Sequence, residues 1–465
     1  MKFTKKKLIV FGLLLLTTFL VVNFATPIAQ AKQRVITVWH ALPKKHIPLF
    51  ESLILEYQST LHNMARFEII AFKTPEQLHN KLIKSKERPD IALIDAKWLK
   101  AIKGKSDLVC IEDFIKSNIG NSVFISFKND TFKSMWKNSK HGGKLIAMPF
   151  CASNRALLID TRALEMLKMK KHPRMWGDLI VVGKKYMKDG SEMRSEKVWA
   201  FHIPAGEKPE ALAAFFQVFL WQIDRDVVEP FLGVDLAGFD SAESKRVLAM
   251  LVDMVHKHKI VSVEAVDKEK AMMFVGTPKD YLFLNQTGGN IKVVPWPGKR
   301  RSKNDLTVYS FVMFNSNDKN KLEKMWNMIY HVCEFRSALK WSLATPYLPP
   351  NKQVTLSPDY FSFLEGNPGM RTFLQQLKNS HLAPMDARRA VVMRILGQHL
   401  KMALAKEMAV EDSLNLAADK CNKLFDPDGR YRKKKEELRA LGDLVMMVWD
   451  MDYGLDDIKS AIDQN

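Results

Sequence analysis

Residues 89–99 read Pro-Asp-Ile-Ala-Leu-Ile-Asp-Ala-Lys-Trp-Leu, and this stretch gives the clearest indication of the fold. Four consecutive apolar residues, Ile91 to Ile94, stand between Asp90 and Asp95. A short apolar run bounded by polar residues is typical of a strand buried on both faces, as in a parallel sheet. The stretch therefore predicts an interior strand of an α/β domain.

The sequence before this strand alternates between strand and helix patterns. β-Branched and aromatic residues at 35–39 and 67–72 predict two strands, and apolar residues recur at helical spacing from 49 to 61. Thr74, followed by Pro75, predicts a capped helix start. This β-α-β-α-β order predicts a mostly parallel sheet with helices packed against it.

Later segments continue the mixture of strands and helices. Strand-like runs surround Pro149 and resume near residue 291, residues 322–333 mark a helix, and residues 357–425 are helical almost throughout. The chain is therefore α/β over most of its length.

Residues 426–465 differ from the rest of the chain. Basic residues from Arg430 to Lys435 precede apolar residues that recur at helical spacing from 438 to 449, and an acidic end follows. The spacing predicts an amphipathic helix. We expect its apolar face to dock onto the chain's own folded part, the second of two lobes if the chain is divided as the resemblance given below implies; the alternative is contact with a partner or a membrane surface through the basic residues.

Composition places the chain among soluble globular proteins of several domains. Of its 465 residues, 47% are hydrophobic and 26% are charged, which excludes a mostly disordered protein. The net charge of +20 suits an anionic ligand, an anionic membrane surface or nucleic acid.

The N-terminus has the three parts of an export signal. Lysines in the first seven residues precede an apolar run from Leu8 to Val22, and the small residues Ala29 and Ala31 suit cleavage after Ala31. We expect residues 1–31 to be a cleaved signal peptide and the protein to be periplasmic or extracytoplasmic. A retained membrane anchor is the alternative, although the run is shorter than the ~20 residues of a membrane-spanning helix.

A search for catalytic and metal-binding motifs finds none that stands out. The four cysteines match neither a zinc module nor a CxxC motif, so we expect buried single thiols, with a disulfide as the alternative. We expect no metal, no cofactor and no enzymatic activity. A carboxylate pair for glycoside hydrolysis stays open, because acidic residues are abundant.

Aromatic and polar residues occur together where predicted strands end. Trp39 and His40 end the first strand, and Asp95 ends the third. Ligands of open α/β sheets bind outside the carboxyl ends of strands. Aromatic rings stack on sugars, and polar groups hydrogen-bond their hydroxyls. These residues are therefore candidate ligand contacts, although the residues alone favour a place in the core for Trp39 and Trp98.

The order of several short motifs resembles one family of transport proteins. The segments are 36–41 (Ile-Thr-Val-Trp-His-Ala), 89–99, 143–160, 173–179, 271–276, 341–349 and 365–369. The chain resembles the extracellular solute-binding proteins of bacterial ABC importers, family 1, in the branch that binds sugars and glycerol 3-phosphate. The resemblance covers roughly residues 35–425.

This resemblance implies two α/β lobes joined by hinge strands, with a ligand cleft between them that closes by a hinge motion. It implies a first lobe formed by residues 32–152 and 290–336, a second lobe formed by residues 153–289 and 337–425, and a C-terminal extension at 426–465. The first crossing between lobes would fall at Pro149–Arg155.

The resemblance also implies where the ligand binds. By position it assigns the ligand to Trp39, His40, Asp95, Ser153, Asn154, Gly276 and Tyr347, and less directly to Trp221, Tyr281 and Arg389. The chain departs from the family pattern at Cys151–Asn154 and Thr277–Tyr281, so the resemblance does not carry over the branch's ligand specificity.

The function implied is capture of a carbohydrate or related polyol by a monomer and its delivery to the permease subunits of an ABC transporter, with no nucleic-acid partner. Three alternatives stay open. They are a binder of an anionic sugar phosphate or glycerol phosphate, a binding protein that feeds a sensor, and an exported glycosidase.

Overall fold

A computed structural model of the protein describes residues 34–61, 65–104, 107–169, 171–190, 199–264, 267–298, 303–438 and 440. The predicted signal peptide at 1–31 lies outside the described residues, as does most of the predicted amphipathic helix at 438–449. Within the described residues, strands and helices form two α/β lobes, each with its own sheet.

The strands and helices alternate along the chain. The strands are β1 (Arg34–His40), β2 (Ala65–Ala71), β3 (Ile91–Asp95), β4 (Lys140–His141), β5 (Lys144–Leu145), β6 (Met148–Asn154), β7 (Ala156–Asp160), β8 (Trp199–Phe201), β9 (Val228–Phe231), β10 (Val234–Ala237), β11 (Ala271–Gly276), β12 (Ile291–Val294), β13 (Asn304–Met313) and β14 (Ser380–His381). The helices are α1 (Ile47–Ser59), α2 (Pro75–Lys84), α3 (Leu99–Lys103), α4 (Ile111–Asn118), α5 (Asn121–Asp130), α6 (Lys133–Asn138), α7 (Thr161–Met166), α8 (Trp176–Asp189), α9 (Pro209–Gln222), α10 (Ala242–His256), α11 (Pro278–Gln286), α12 (Lys319–Cys333), α13 (Phe335–Ala344), α14 (Lys352–Thr355), α15 (Pro358–Gly366), α16 (Gly369–Gln376), α17 (Ala387–Leu404) and α18 (Val410–Asn422).

The first lobe is built on a sheet with the strand order β14-β13-β3-β1-β2, and β6 also pairs with β13. β1 lies parallel to β2 and β3, whereas β13 runs antiparallel to β3 and β6. All five residues of β3 are buried, which confirms the interior strand predicted from its apolar run. The predicted helix start at Thr74 is also confirmed, because its side chain accepts a hydrogen bond from the Gln77 amide.

The second lobe is built on a sheet with the strand order β12-β7-β11-β8. β7 runs antiparallel to both of its neighbours, and β8 runs parallel to β11. One core joins this sheet to α8, α9, α10, α17 and α18. The helical 357–425 region predicted from sequence therefore supplies two helices, α17 and α18, to the core of this lobe.

The chain crosses between the lobes at a small number of points. Arg155 alone separates β6 from β7, and residues 295–303 connect β12 to β13. A shared apolar cluster, the hinge cluster, packs across these connections; its largest members are Phe274, Tyr281, Tyr360, Met370 and Phe373. The two sheets therefore share a common core at the hinge.

The structure corrects two of the predicted lobe boundaries. β12 was assigned to the first lobe, but it pairs antiparallel with β7 in the second sheet. α13 was assigned to the second lobe, but the Trp341 ring packs 4.9 Å from the Phe150 ring in the core of the first. Both errors have one cause, because pairing partners distant in sequence decide which sheet an edge element joins.

The four cysteines are unpaired, as expected. Cys151, Cys333 and Cys421 are buried, whereas Cys110 is half-buried.

Candidate ligand-binding site

Strand directions place the ends of several strands of both lobes at one inter-lobe edge. β6 runs parallel to β1 and β3, since both β6 and β3 are antiparallel to β13. The carboxyl ends of these three strands therefore meet where β6 passes into β7. β11 and β8 run antiparallel to β7, so their carboxyl ends face the same edge from the second lobe. This is where open α/β sheets bind ligands.

A cavity of about 510 Å³ lies between the lobes at this edge. From the first lobe it is lined by Lys45, His46 and residues 343–346, and from the second by Glu269 and residues of α11. One apolar wall is the ring of Phe283, which is 54% exposed. The cavity therefore combines an aromatic face with charged and hydrogen-bonding groups.

A smaller cavity of about 150 Å³ adjoins the first at Asp280, which lines both. Its other polar lining residues are Arg155, His202, Glu207, Lys268 and Thr277. We call the two cavities together the inter-lobe groove. It holds similar numbers of acidic and basic side chains, and this balance suits a polar ligand without net charge.

Asp280 is held in the groove by three hydrogen bonds. Its Oδ2 accepts hydrogen bonds from the amide and hydroxyl of Thr277 at 2.8 and 2.9 Å, and its Oδ1 accepts one from Lys268 Nζ at 2.7 Å. Burial acts to raise the pKa of Asp280, but these hydrogen bonds and the Lys268 charge outweigh it, so the pKa is lowered. The side chain is therefore an ionised acceptor held in a fixed position.

His46 supplies a neutral group from the opposite lobe. Burial, together with the charges of Lys45 and Lys279, lowers its pKa to about 4. At neutral pH its imidazole is uncharged, so one ring nitrogen donates and the other accepts. Such a ring can donate a hydrogen bond to a ligand hydroxyl or accept one from it.

The predicted ligand residues of the first lobe reach the inter-lobe edge to different extents. Asp95 pairs with Lys97 at 3.1 Å and lies opposite Tyr309 in the sheet. The Tyr347 ring lies 5.4 Å from that of Tyr309 and 5.7 Å from His46 of the groove. Asp95 and Tyr347 thus both neighbour Tyr309, and neither lines the cavity that holds His46.

Trp39 and His40 do not present a face to the groove. Trp39 is 4% exposed, and its ring packs 5.2 Å from Phe72 in a core cluster. His40 is fully buried and accepts a hydrogen bond from the Leu42 amide, and burial lowers its pKa to about 4. Both side chains therefore pack in the core of the first lobe, and stacking of Trp39 on a ligand stays a prediction.

Ser153, Asn154 and Gly276 mark the hinge. Asn154 Nδ2 donates to the Phe373 carbonyl at 2.9 Å and to Ser380 Oγ, which ties β6 to later segments. Ser153 is half-buried, and Gly276 pairs with Ala156 at the end of β11. A Cβ at Gly276 would lie 3.0 Å from the Phe274 side chain, which leaves no space for a larger residue without adjustment.

Tyr281, Trp221 and Arg389 have structural partners. The Tyr281 hydroxyl accepts from the Gly369 amide at 3.1 Å, and Arg389 pairs with Asp226 at 2.6 Å. The Trp221 ring meets His381 edge-on at 4.7 Å. These contacts place Trp221 and Arg389 together but away from the groove lining, and they place Tyr281 in the hinge cluster.

Sequence reasoning missed most of the groove lining. Lys45, His46, His202 and Lys268 were not candidates, because nothing local distinguishes them from surface residues. Asp280 carried a usable signal: Thr277-Pro278-Lys279-Asp280 follows a strand and has the pattern of a capping box.

Two lobes with a polar groove between them define the class of binding proteins that close around a solute. Residues 59–364 match the family model described as bacterial extracellular solute-binding protein, and this chain belongs to that family. The family places the protein outside the cytoplasm and among binding proteins rather than enzymes. In the described part of the chain, no helix is both long and apolar enough to cross a membrane.

Solved structures with the same fold come from several bacteria. The cyclic α-maltosyl-1,6-maltose binding protein of Arthrobacter globiformis is 19% identical, with a TM-score of 0.69 over 84% of this chain and 98% of that one. Maltose-bound MalE3 of T. maritima is 18% identical, with a TM-score of 0.67 over 84% and 99%. UgpB of Mycobacterium tuberculosis in complex with glycerophosphocholine is 14% identical, with a TM-score of 0.67 over 83% and 97%. The two-lobed fold expected from the sequence is thereby confirmed.

Proposed function

We propose that this protein is the binding component of an ABC importer, which captures a carbohydrate or related polyol in the inter-lobe groove and delivers it to the permease. The observation that carries the proposal is the placement of Asp280 and His46 on opposite lobes beside the exposed Phe283 ring. Fixed acceptors and a neutral imidazole suit hydroxyl groups, and an aromatic face suits the apolar side of a sugar ring.

The pairing of charges around the groove supports a neutral ligand. Asp280 is neutralised by Lys268, and Arg155 lies 3.4 Å from Asp305. An anionic ligand would have to compete with these carboxylates for their cations. Hydroxyl groups can instead add to the existing hydrogen bonds.

An anionic sugar phosphate or glycerol phosphate is the second candidate. Lys45 and Lys279 border the groove from opposite lobes, and both charges act to lower the pKa of His46. This local excess of positive charge favours an anion near that edge. Glycerophosphocholine, the ligand in the structure of the mycobacterial UgpB, also contains a phosphate group.

A thermal-shift panel of neutral sugars, polyols and phosphate esters distinguishes the two candidates. A ligand that binds only the folded state raises the melting temperature in proportion to the logarithm of its concentration. We expect a neutral carbohydrate to give the largest shift, with little dependence on salt. A shift confined to phosphate esters and weakened by salt would favour the second candidate.

Phe283→Ala, with a matched control, tests whether the ligand binds in the inter-lobe groove. Phe283→Ala should weaken binding by about 1–2 kcal/mol, or roughly five- to thirtyfold, because it removes one stacking ring. Phe361→Ala is the control, since Phe361 is 50% exposed and does not line the groove. Equal affinities for the two variants would exclude the groove as the binding site.

Asp280→Asn tests the polar side of the site, with Asp178→Asn as its control. Asp178 accepts from the amides of Arg174 and Met175 at the start of α8, much as Asp280 does at the start of α11. We expect only Asp280→Asn to weaken ligand binding. Turnover of any glycoside in the panel would contradict a pure binding role.

A further inference from the structure

A large basic cavity lies outside the inter-lobe groove. It has a volume of about 1240 Å³ and is lined by α6, by residues 374–384 and by Lys303 and Lys352. Its lysines are Lys133, Lys137, Lys303, Lys352 and Lys378. No aspartate or glutamate occurs among these lining residues. We call this cavity the lysine groove.

Four of the five ammonium groups have no carboxylate partner within the described residues, and Lys303 is the exception. Lys303 pairs with Asp224 at 2.8 Å, and Lys352 donates to the Asn129 carbonyl. Lys133, Lys137 and Lys378 form no ion pair with any residue that the structure describes. The lysine groove therefore keeps a positive charge that a bound anion can neutralise.

His381, which lines the lysine groove, responds to this charge. Burial is the main cause that lowers its pKa, and Lys303, Lys137 and Arg389 lower it further, whereas Asp226 opposes them. His381 is therefore a built-in reporter for an anion that binds nearby.

Apart from the lysines and His381, the lysine groove is lined by both apolar and uncharged polar side chains. Its apolar side chains are Phe132, Leu374, Leu377, Leu382 and Pro384. A volume of 1240 Å³ exceeds the ~300–1,000 Å³ of ordinary small-molecule sites. The matching ligand is therefore an extended segment that carries both carboxylates and apolar side chains.

The chain itself contains a segment of this composition. Residues 449–458 read Trp-Asp-Met-Asp-Tyr-Gly-Leu-Asp-Asp-Ile, with four aspartates, no basic residue and five large apolar or aromatic side chains. They lie outside the described residues. Their charge and apolar content complement the lysine groove.

The last described helical residues contact the second lobe a few residues from Asp226, whose charge acts on His381. Residues 430–438 are helical, and Lys435 Nζ donates to the Ala237 carbonyl at 2.7 Å. Ala237 pairs with Val228, two residues beyond the Asp226 whose charge acts on His381. The eleven peptide steps from Leu438 to Trp449 span about 16 Å as a helix and up to ~36 Å when fully extended. This length of chain lets the segment extend from the side of Ala237 toward the lysine groove.

We propose that residues 449–458 of this chain dock in the lysine groove, so that their aspartates pair with Lys133, Lys137 and Lys378. The contact is intramolecular, which gives it a high effective concentration. It also gives the acidic end of the C-terminal extension a defined place on the protein.

Zero-length carbodiimide cross-linking of the full chain tests this directly. We expect amide links between aspartates of 449–458 and Lys133, Lys137 or Lys378 in the monomer fraction, identified by peptide mass spectrometry. Links found only in a dimer fraction would assign the lysine groove to a second copy and overturn the proposal. Links of the segment only to other lysines would also overturn it.

Binding of a labelled peptide of residues 449–458 gives an independent measurement. The full chain with Asp450, Asp452, Asp456 and Asp457 changed to asparagine should bind this peptide at least tenfold more tightly than the unchanged chain, because its own segment no longer competes. In that variant the pKa of His381, followed by NMR, should also fall. Equal peptide affinities for the two chains would contradict intramolecular docking.

Charge-matched variants show whether the lysine groove is responsible. In the asparagine background, changing Lys133, Lys137 and Lys378 to glutamine should abolish peptide binding. Changing the exposed Lys168, Lys188 and Lys319 to glutamine removes the same charge elsewhere and should leave binding unchanged. If both triple variants lose the same amount of peptide affinity, the binding depends only on the net charge of the protein, and the proposal is overturned.

Discussion

Gly397 lies where α17 crosses the start of α9, and replacing it with alanine gives a sharp test of the second lobe's packing. An added Cβ would lie 1.9 Å from the Pro209 carbonyl oxygen and 2.8 Å from Pro209 Cα. Ordinary contacts of a Cβ begin near 3.4 Å, so the two helices would have to separate by about 1.5 Å. Both helices belong to the largest core of the protein, which resists such a shift.

Two opposing terms set the expected size of the effect. Alanine is favoured over glycine in a helix interior by about 1 kcal/mol. Overpacking costs about 1–3 kcal/mol, and the upper end applies because backbone atoms cannot rotate away from the new methyl group. Gly397→Ala should therefore destabilise the protein by about 2 kcal/mol, which corresponds to a fall in melting temperature of roughly 2–3 °C for a protein of this size that unfolds as one unit.

Calorimetry compares the melting temperature of Gly397→Ala with that of a control variant, Gly177→Ala. Gly177 lies in the first turn of α8, and an added Cβ there would meet no atom within 4 Å. Gly177→Ala should leave the melting temperature unchanged or raise it slightly. If Gly397→Ala behaves in the same way, the close approach of α17 to α9 is wrong.

Three further outcomes follow from titration and reactivity. Because the folded pKa of Asp280 is lowered, its contribution to stability is present above the unfolded pKa of about 4 and is lost as the pH falls through the folded value. The urea midpoint of unfolding should therefore fall less between neutral pH and pH 3 in Asp280→Asn than in the unchanged protein. Burial and the Lys97 charge lower the pKa of His79 to about 3, so stability should fall as the pH drops below 6.5 toward 3. His79→Gln should flatten that slope in the same urea series. Burial raises the pKa of the Cys333 thiol, so iodoacetamide should label the half-buried Cys110 first in the native protein, as counted by mass spectrometry.

Local sequence patterns determined the elements of this protein. The apolar run of β3, the cap at Thr74 and the helical spacing at 322–333 all correspond to elements of the structure. They were predictable because burial of one strand or one helix face leaves a periodic pattern within a few residues. The motif order also identified the family, since its short motifs occur in sequence along the chain.

Tertiary structure alone decided which elements and side chains meet. β12 joined the second sheet and Trp341 the first core, although sequence position suggested the reverse. Trp39 ends its strand as predicted, but packing against Phe72 turns it into a core residue.

The residues of the inter-lobe groove were also brought together by contacts between distant segments, which local sequence patterns do not record. Asp280 and His46 face each other only because two separate sheets turn the carboxyl ends of their strands toward one edge. Periodicity reports whether a residue is buried, because burial acts through the residue's own element. It does not report which distant residue lies opposite, because that depends on contacts between segments more than two hundred residues apart.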